Sequence, residues 1–161
     1  MPFFSGERCP DLPRGKGCLF GLDDENYTRG NLLRSSMESA IYGLKNGLDS
    51  FHRQGCITET IRLTGGGAGS SIWRQMVADI FNLPVSVQVV DEGAAFGAAL
   101  QALWMYEGER GSDRSIEDTV DTHLIVDEKR GCVPHDETVN SYREHFHNYQ
   151  RHVGSVIELY T

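Results

Sequence analysis

Three consecutive glycines lie in the stretch of this chain that is best suited to hold an anion, residues 64–71, which we call the glycine turn. Its residues are Thr64, Gly65, Gly66, Gly67, Ala68, Gly69, Ser70 and Ser71. Because glycine lacks a Cβ, main-chain N–H groups can approach a phosphate closely, and a helix that starts after the turn adds its positive dipole end. The pattern indicates a nucleotide-binding turn. The alternative is a tight turn that only lets a strand and a helix pack closely.

The spacing around the glycine turn does not fit two common nucleotide motifs. A Walker-type phosphate loop needs a lysine directly after its last glycine, but no lysine lies between Lys45 and Lys129. The dinucleotide fingerprint needs a third glycine, and that position falls on Ser70 or Ile72. This spacing disfavours a Rossmann-type oxidoreductase. A nucleotide on this turn would be held by main chain and small side chains.

Acidic residues are scarce around the glycine turn. A phosphotransferase needs carboxylates that hold Mg²⁺ and a base that activates the acceptor hydroxyl, yet the first acid after the turn is Asp79. Asp91 and Glu92 follow the next predicted strand, where a ligand can be reached in an open α/β sheet. The alternative for this pair is an acidic helix start that complements the helix dipole. We therefore predict no catalytic residue and no metal ligand in this chain, which resembles half of a catalytic site.

Composition limits the function further. The chain has 161 residues, about one domain, and 15 Lys and Arg against 23 Asp and Glu give it a net charge of −8 without a basic cluster. Nucleic-acid binding is disfavoured, because phosphate contacts need clustered Lys and Arg. No apolar run approaches the roughly 20 residues of a membrane span, and the start lacks a signal-peptide pattern. We therefore predict a cytoplasmic protein without membrane contact.

Apolar periodicity predicts strands that alternate with helices. The predicted elements are a loop over 1–16, a strand over 17–22, a helix from the N-cap Thr28 to Gly55, a strand over about 58–64, a helix over 70–82, a strand over 85–90, a helix over 92–107, a short helix near 115–120 and a last helix over 139–159. This order favours an α/β fold with parallel strands. The apolar stripe of the first helix is expected to lie on a sheet. Its residues are Leu33, Met37, Ala40, Ile41, Leu44, Leu48 and Phe51.

The last third of the chain differs in charge from the rest. Residues 1–108 hold 9 Lys and Arg against 12 Asp and Glu, whereas residues 109–161 hold 6 against 11. The second stretch is therefore more acidic. We interpret residues 109–161 as an acidic C-terminal extension that covers the same domain and carries the last helix.

Four segments in this order resemble the FGGY carbohydrate kinases, most closely the xylulokinase branch of that family. They are residues 5–8 with Pro10 and Arg14, residues 17–22 followed eight residues later by 31–38, the glycine turn with residues 73–79, and residues 94–99. The resemblance runs from about residue 2 to residue 108. Four motifs in the correct order are far more specific than one glycine run.

The resemblance implies an RNase-H-like fold of the actin, Hsp70 and hexokinase type, an α/β domain with a mixed sheet flanked by helices. Two such domains close around ATP and a sugar, and residues 1–108 would be most of the second, C-terminal domain, truncated at the N-terminus. In the family the glycine turn lies along the nucleotide. Gly65, Gly66, Gly67 and Ala68 would then face the nucleotide through their backbone, and Ser71 would edge the purine.

The resemblance also implies a function. The chain would be the nucleotide-binding half of an ATP-dependent sugar kinase that phosphorylates a pentulose such as D-xylulose, with ATP and Mg²⁺ as cofactors of the complete enzyme. The catalytic aspartate and most sugar-binding residues lie upstream in the family, so we predict that this fragment alone is inactive and binds ATP or ADP weakly. The alternative is a stand-alone nucleotide-binding or scaffold module. An unpaired strand edge predicts a homo-oligomer, or an N-terminal arm that covers the edge.

Overall fold

Two strands and five α-helices form most of the regular structure of residues 1–90 and 92–161, the part of the chain that this computed structural model describes. In chain order the elements are α1 (Arg29–Arg53), β1 (Ile61–Leu63), a 3₁₀ helix (Gly66–Gly69), α2 (Ser71–Phe81), β2 (Val85–Val87), α3 (Gly93–Glu109), α4 (Ile116–His123) and α5 (Asp136–Tyr160). The predicted alternation of strands and helices is confirmed, with shorter strands. Asp91, one of the two acids singled out above, lies outside the described residues.

The described residues form two compact units. Unit 1 comprises Met1–Thr58, Asp79–Asn82 and Pro134–Thr161, and unit 2 comprises Glu59–Ala78 and Leu83–Val133. Within this described part of the chain, no helix combines the length and apolar character that crossing a bilayer requires.

A small mixed sheet organises unit 2. Strands β1 and β2 are parallel, with Ile61 opposite Val85. On its other side Val85 forms an antiparallel bridge with Cys132, whose carbonyl accepts the Val85 N–H at 2.9 Å. A second antiparallel bridge joins Gln88 to Val126. Parallel and antiparallel pairing around the buried Val85 therefore confirm the mixed α/β character predicted from the sequence.

An aromatic cluster between α1 and α5 forms the core of unit 1. The Tyr42 ring of α1 lies 5.8 Å from the Phe146 ring and 5.3 Å from the Tyr149 ring of α5, measured between centroids. Tyr142 of α5 completes the cluster at 6.5 Å from Tyr42. The last helix is confirmed over nearly its predicted length. Residues of the acidic C-terminal stretch therefore supply three of the four rings of this cluster.

Helix α1 begins and ends as its sequence predicts, but it buries only part of the predicted apolar stripe. The Thr28 side chain accepts the Asn31 N–H, and Gly55, with a φ of 88°, follows the helix end. The predicted packing of the whole stripe on a sheet is wrong, because Leu33, Leu44 and Phe51 are exposed, although Ile41 of the same stripe is buried. An amphipathic pattern fixes which faces are apolar but not which one finds a partner. Here Ile41 and its neighbour Tyr42 are buried, and the Tyr42 ring packs against α5.

The predicted strand over residues 17–22 is also wrong. These residues have no strand structure, although the Cys18 N–H donates to the Met1 carbonyl at 3.1 Å. A strand needs a partner along its length to satisfy its main-chain groups, and within the described residues this segment pairs at Cys18 alone, whose carbonyl also accepts from the Met1 amino group at 2.9 Å. The preceding residues form the predicted loop, closed by the reciprocal hydrogen bonds of Glu7 and Leu12.

The aromatic cluster predicts a loss of stability at alkaline pH. Burial raises the pKa of Tyr149 to about 12, with a smaller contribution from the negative charge of Glu7. An unfolded tyrosine titrates near pH 10, so above that pH the unfolded state binds fewer protons than the folded one. The free energy of unfolding should then fall by about 1 to 2 kcal/mol from Tyr149 alone as the pH rises through the folded pKa.

Urea titrations at about pH 9 and about pH 11 would measure this effect. The Tyr149→Phe variant should lose less stability between the two pH values than the wild type. The matched control is Tyr27→Phe, because Tyr27 is exposed. An equal loss in the wild type and in Tyr149→Phe would contradict the assignment.

Candidate functional site

The glycine turn joins β1 to α2 as a 3₁₀ helix. Gly65 opens it with φ 83° and ψ −173°, a conformation that other residues adopt only with strain. The Ser70 hydroxyl accepts the Trp73 N–H at 3.3 Å, as an N-cap side chain does, and α2 begins at Ser71. Local residue types therefore account for the sharp start of the turn and for the helix that follows it.

Ala68 anchors the turn in unit 2. Its side chain is only 1% exposed, its N–H donates to the Gly65 carbonyl at 2.9 Å, and its own carbonyl accepts the Arg74 Nη1 at 2.7 Å. Both polar groups of the Ala68 backbone are therefore engaged within the turn. By contrast, the first N–H groups of a helical turn, here those of Gly66 and Gly67, have no acceptor within the turn itself. These two residues are the donors available to an anion.

The glycines of the turn differ in why they must be glycine. Gly65 needs its positive φ, and a Cβ built on Gly67 would lie 2.8 Å from Nε1 of Trp73. Gly66 and Gly69 have neither reason, because a Cβ on either meets nothing within 4 Å and neither φ is positive. The packing explanation that the sequence left open thus covers Gly65 and Gly67. It does not cover Gly66, where the backbone lies beside open space.

The start of α3 lies against the end of β1. A Cβ on Gly93 would lie 2.6 Å from Oγ1 of Thr64, the first residue of the glycine turn. Two strand-to-helix junctions therefore meet at one edge of unit 2, as parallel strands predict. Beyond Gly93, most of the small residues of α3 are exposed, including Ala94, Ala95 and Ala98. The tight helix packing that they suggested is absent at these three positions.

The acids and the serine named from the sequence have separate positions. Ser71 is exposed at the first residue of α2, and Glu92 is exposed directly before α3. Asp79 is buried, and its Oδ1 accepts the His135 N–H at 2.9 Å, where α5 begins. Among residues 1–90 and 92–161, no three His, Cys, Asp or Glu side chains come close enough to hold a metal ion. These residues do not fit a Mg²⁺ site, so we assign the ion no role here.

Sequence reasoning missed two side chains that shape the turn. Trp73 covers Gly67, and Arg74 bonds the Ala68 carbonyl. Both lie in the first turn of α2. The only sequence feature that pointed to them was their place among the residues that carry the family resemblance. The resulting arrangement combines N–H groups that have no acceptor within the turn, a helix N-terminus and open space beside Gly66. It is suited to hold a phosphate or another anion.

Comparison with known proteins shows which family this chain matches. The model of the FGGY family of carbohydrate kinases, C-terminal domain, matches residues 1–106. The xylulose kinase of Haemophilus influenzae is 43% identical over 157 residues, which are 97% of this chain and 31% of that protein. The Escherichia coli xylulose kinase is 40% identical over 101 residues, 62% of this chain and 21% of that protein. The chain therefore spans about a third or less of these relatives.

Solved structures show the same fold. The xylulose kinase of Rhodospirillum rubrum superposes with a TM-score of 0.81 at 21% identity, covering 99% of this chain and 30% of that one. The gluconate kinase of Lactobacillus acidophilus gives a TM-score of 0.79 at 22% identity, with 99% and 31% covered. Two sugar kinases with different named substrates thus share the fold of this chain. At these identities the likeness concerns the fold alone.

Proposed function

Since this chain belongs to the FGGY family of carbohydrate kinases, matching their C-terminal domain, we propose that it is the nucleotide-binding part of an ATP-dependent sugar kinase. The observation that carries the proposal is Gly66. Its conformation and its surroundings would accept a side chain, yet it is glycine and lies at the free N–H end of the turn. A ligand that passes close to the backbone would explain why position 66 is a glycine.

Three parts of the turn would hold ATP or ADP. Gly65 sets the direction of the chain, and the N–H groups of Gly66 and Gly67 would donate to the phosphates. Ala68 would contribute by anchoring the turn, because its own N–H is already used. Ser71 would lie at the purine edge, as the family resemblance implies. When bound, ATP supplies the phosphoryl group that the reaction transfers, and this chain's residues bind and orient it.

The acceptor proposed is a pentulose such as D-xylulose, because the relatives named above are xylulose kinases. The catalytic base and most sugar contacts would come from polypeptide outside this chain. The exposed stripe of Leu33, Leu44 and Phe51 on α1 supports the need for more polypeptide, since so much apolar surface is usually covered. The homo-oligomer predicted from an unpaired strand edge, and a cytoplasmic location, both stay predictions.

Calorimetric titration of the isolated chain with Mg-ADP and Mg-ATP would test the proposal, with NADH as the control ligand. We expect weak binding of both adenine nucleotides and none of NADH. With D-xylulose and Mg-ATP supplied together, we expect no sugar phosphate, because positioning and proton transfer need the missing groups. Phosphorylation of the sugar by the purified chain would contradict the proposal that the catalytic base lies outside this chain. NADH binding in place of ADP would contradict the kinase function.

A further inference from the structure

The Arg74 guanidinium closes the glycine turn from the helix side. Its Nη1 donates to the Ala68 carbonyl at 2.7 Å, across six residues of sequence, and the bond is partly buried. The Arg74 N–H also donates to the Ser70 carbonyl at 3.0 Å, so the side chain projects from the first turn of α2. A charge-assisted hydrogen bond of this length is among the stronger ones in proteins. The contact therefore restrains the carbonyl of the turn's most buried residue.

A glycine-rich turn has particular need of such a restraint. Glycine loses more conformational freedom on folding than any other residue, and four of the five residues from Gly65 to Gly69 are glycines. Donors that are already held in place bind an anion more tightly than donors that must first be ordered. A free Ala68 carbonyl could also turn towards the ligand, and its negative end would repel a phosphate.

We propose that Arg74 is a positioning residue, whose bond to the Ala68 carbonyl holds the glycine turn with the Gly66 and Gly67 N–H groups ready for an anion. Trp73, the residue directly before Arg74, supports the same arrangement, because its indole lies against Gly67. The inference rests on the function proposed above for the identity of the anion, which would be the phosphates of ATP or ADP. The restraint itself exists without ligand and can be tested in the free protein.

Hydrogen exchange of the ligand-free chain, followed by NMR, tests the restraint. The Arg74→Met variant keeps the apolar stem and removes every donor, and Arg74→Lys restores one donor and the charge. We expect exchange of the Ala68 and Ser70 amides to accelerate about tenfold in Arg74→Met, a loss equivalent to about 1.4 kcal/mol, and to recover in part in Arg74→Lys. The Ile61 amide, bonded to the Pro84 carbonyl at 2.8 Å, should not change.

Titration with Mg-ADP then measures the consequence for binding. Arg74→Met should weaken ADP affinity about tenfold, and Arg74→Lys should recover part of it. The matched control is Arg62→Met, which removes the same charge from an exposed residue of β1 and should change affinity less than about twofold. An equal loss in Arg62→Met would assign the effect to net charge and overturn the inference.

The remaining outcomes separate this inference from the proposed function. Unchanged exchange at Ala68 and Ser70 in Arg74→Met overturns the restraint, whatever the nucleotide does. Faster exchange throughout unit 2, Ile61 included, overturns it as well, because Arg74 would then be a general stabilising residue. Faster exchange confined to the turn supports the restraint even if the wild type binds no nucleotide, in which case only the proposed function fails.

Discussion

Replacement of Gly66 by valine is expected to abolish nucleotide binding and to leave the fold intact. A Cβ at this position would meet nothing within 4 Å in the free protein, and Gly66 does not need a positive φ. It would instead occupy the open space beside the first N–H groups of the turn. Calorimetry should show that Mg-ADP affinity falls roughly a hundredfold or more. Urea unfolding should show a change of less than about 0.5 kcal/mol.

Gly69→Val is the matched control for this prediction. Gly69 belongs to the same 3₁₀ helix and its Cβ also meets nothing within 4 Å, but it lies at the far end of the turn. Its variant should bind ADP within about threefold of the wild type. Equal losses in both variants, or none in Gly66→Val, would contradict an anion site at the start of the turn. Gly67→Val cannot separate binding from folding, because its side chain collides with Trp73.

The second large effect concerns the buried and exposed parts of the apolar stripe of α1. Ile41 is 0% exposed and Leu44 is 65% exposed, three residues apart on the same helix. Ile41→Ala should lower the free energy of unfolding by about 2 to 4 kcal/mol, because it removes buried methylene groups and leaves a cavity. Leu44→Ala should change it by less than about 0.5 kcal/mol. Urea titration of both variants at one protein concentration gives the comparison.

Repeating the titration over a range of concentrations distinguishes the alternatives for the exposed stripe. A dimer that covers the stripe would make Leu44→Ala destabilising and would make the unfolding midpoint of the wild type depend on concentration. That result would show a homo-oligomer formed through α1, whereas the sequence predicted one formed through an unpaired strand edge. A Leu44→Ala variant as unstable as Ile41→Ala at every concentration would contradict the observed burial of α1.

Much of the fold could be predicted because its signals are local. Thr28 caps α1, Gly55 follows its end, and the glycine turn lies between a strand and a helix as expected. Each of these features depends on residues within a few positions of one another. The strand over 17–22 failed for the opposite reason. A strand forms when another segment of the chain pairs with it, and residue composition does not say whether that segment is present.

The candidate site also has some features that the sequence predicts and others that only the folded structure explains. The sequence alone determined where the glycine turn lies and which family it resembles, because residue type and order along the chain carry that information. Only the tertiary structure decided that Gly67 is needed to accommodate Trp73, that Arg74 restrains Ala68, and that Gly66 faces open space.

The sequence likewise determined that α1 and α5 are amphipathic helices. Tertiary structure selected the buried face of α1, through contacts such as that between Arg34 and Tyr142, 108 residues apart. The physical reason is that helix formation depends on hydrogen bonds and caps within a few residues. Burial depends on which surfaces meet when distant segments pack, and that is a property of the folded chain.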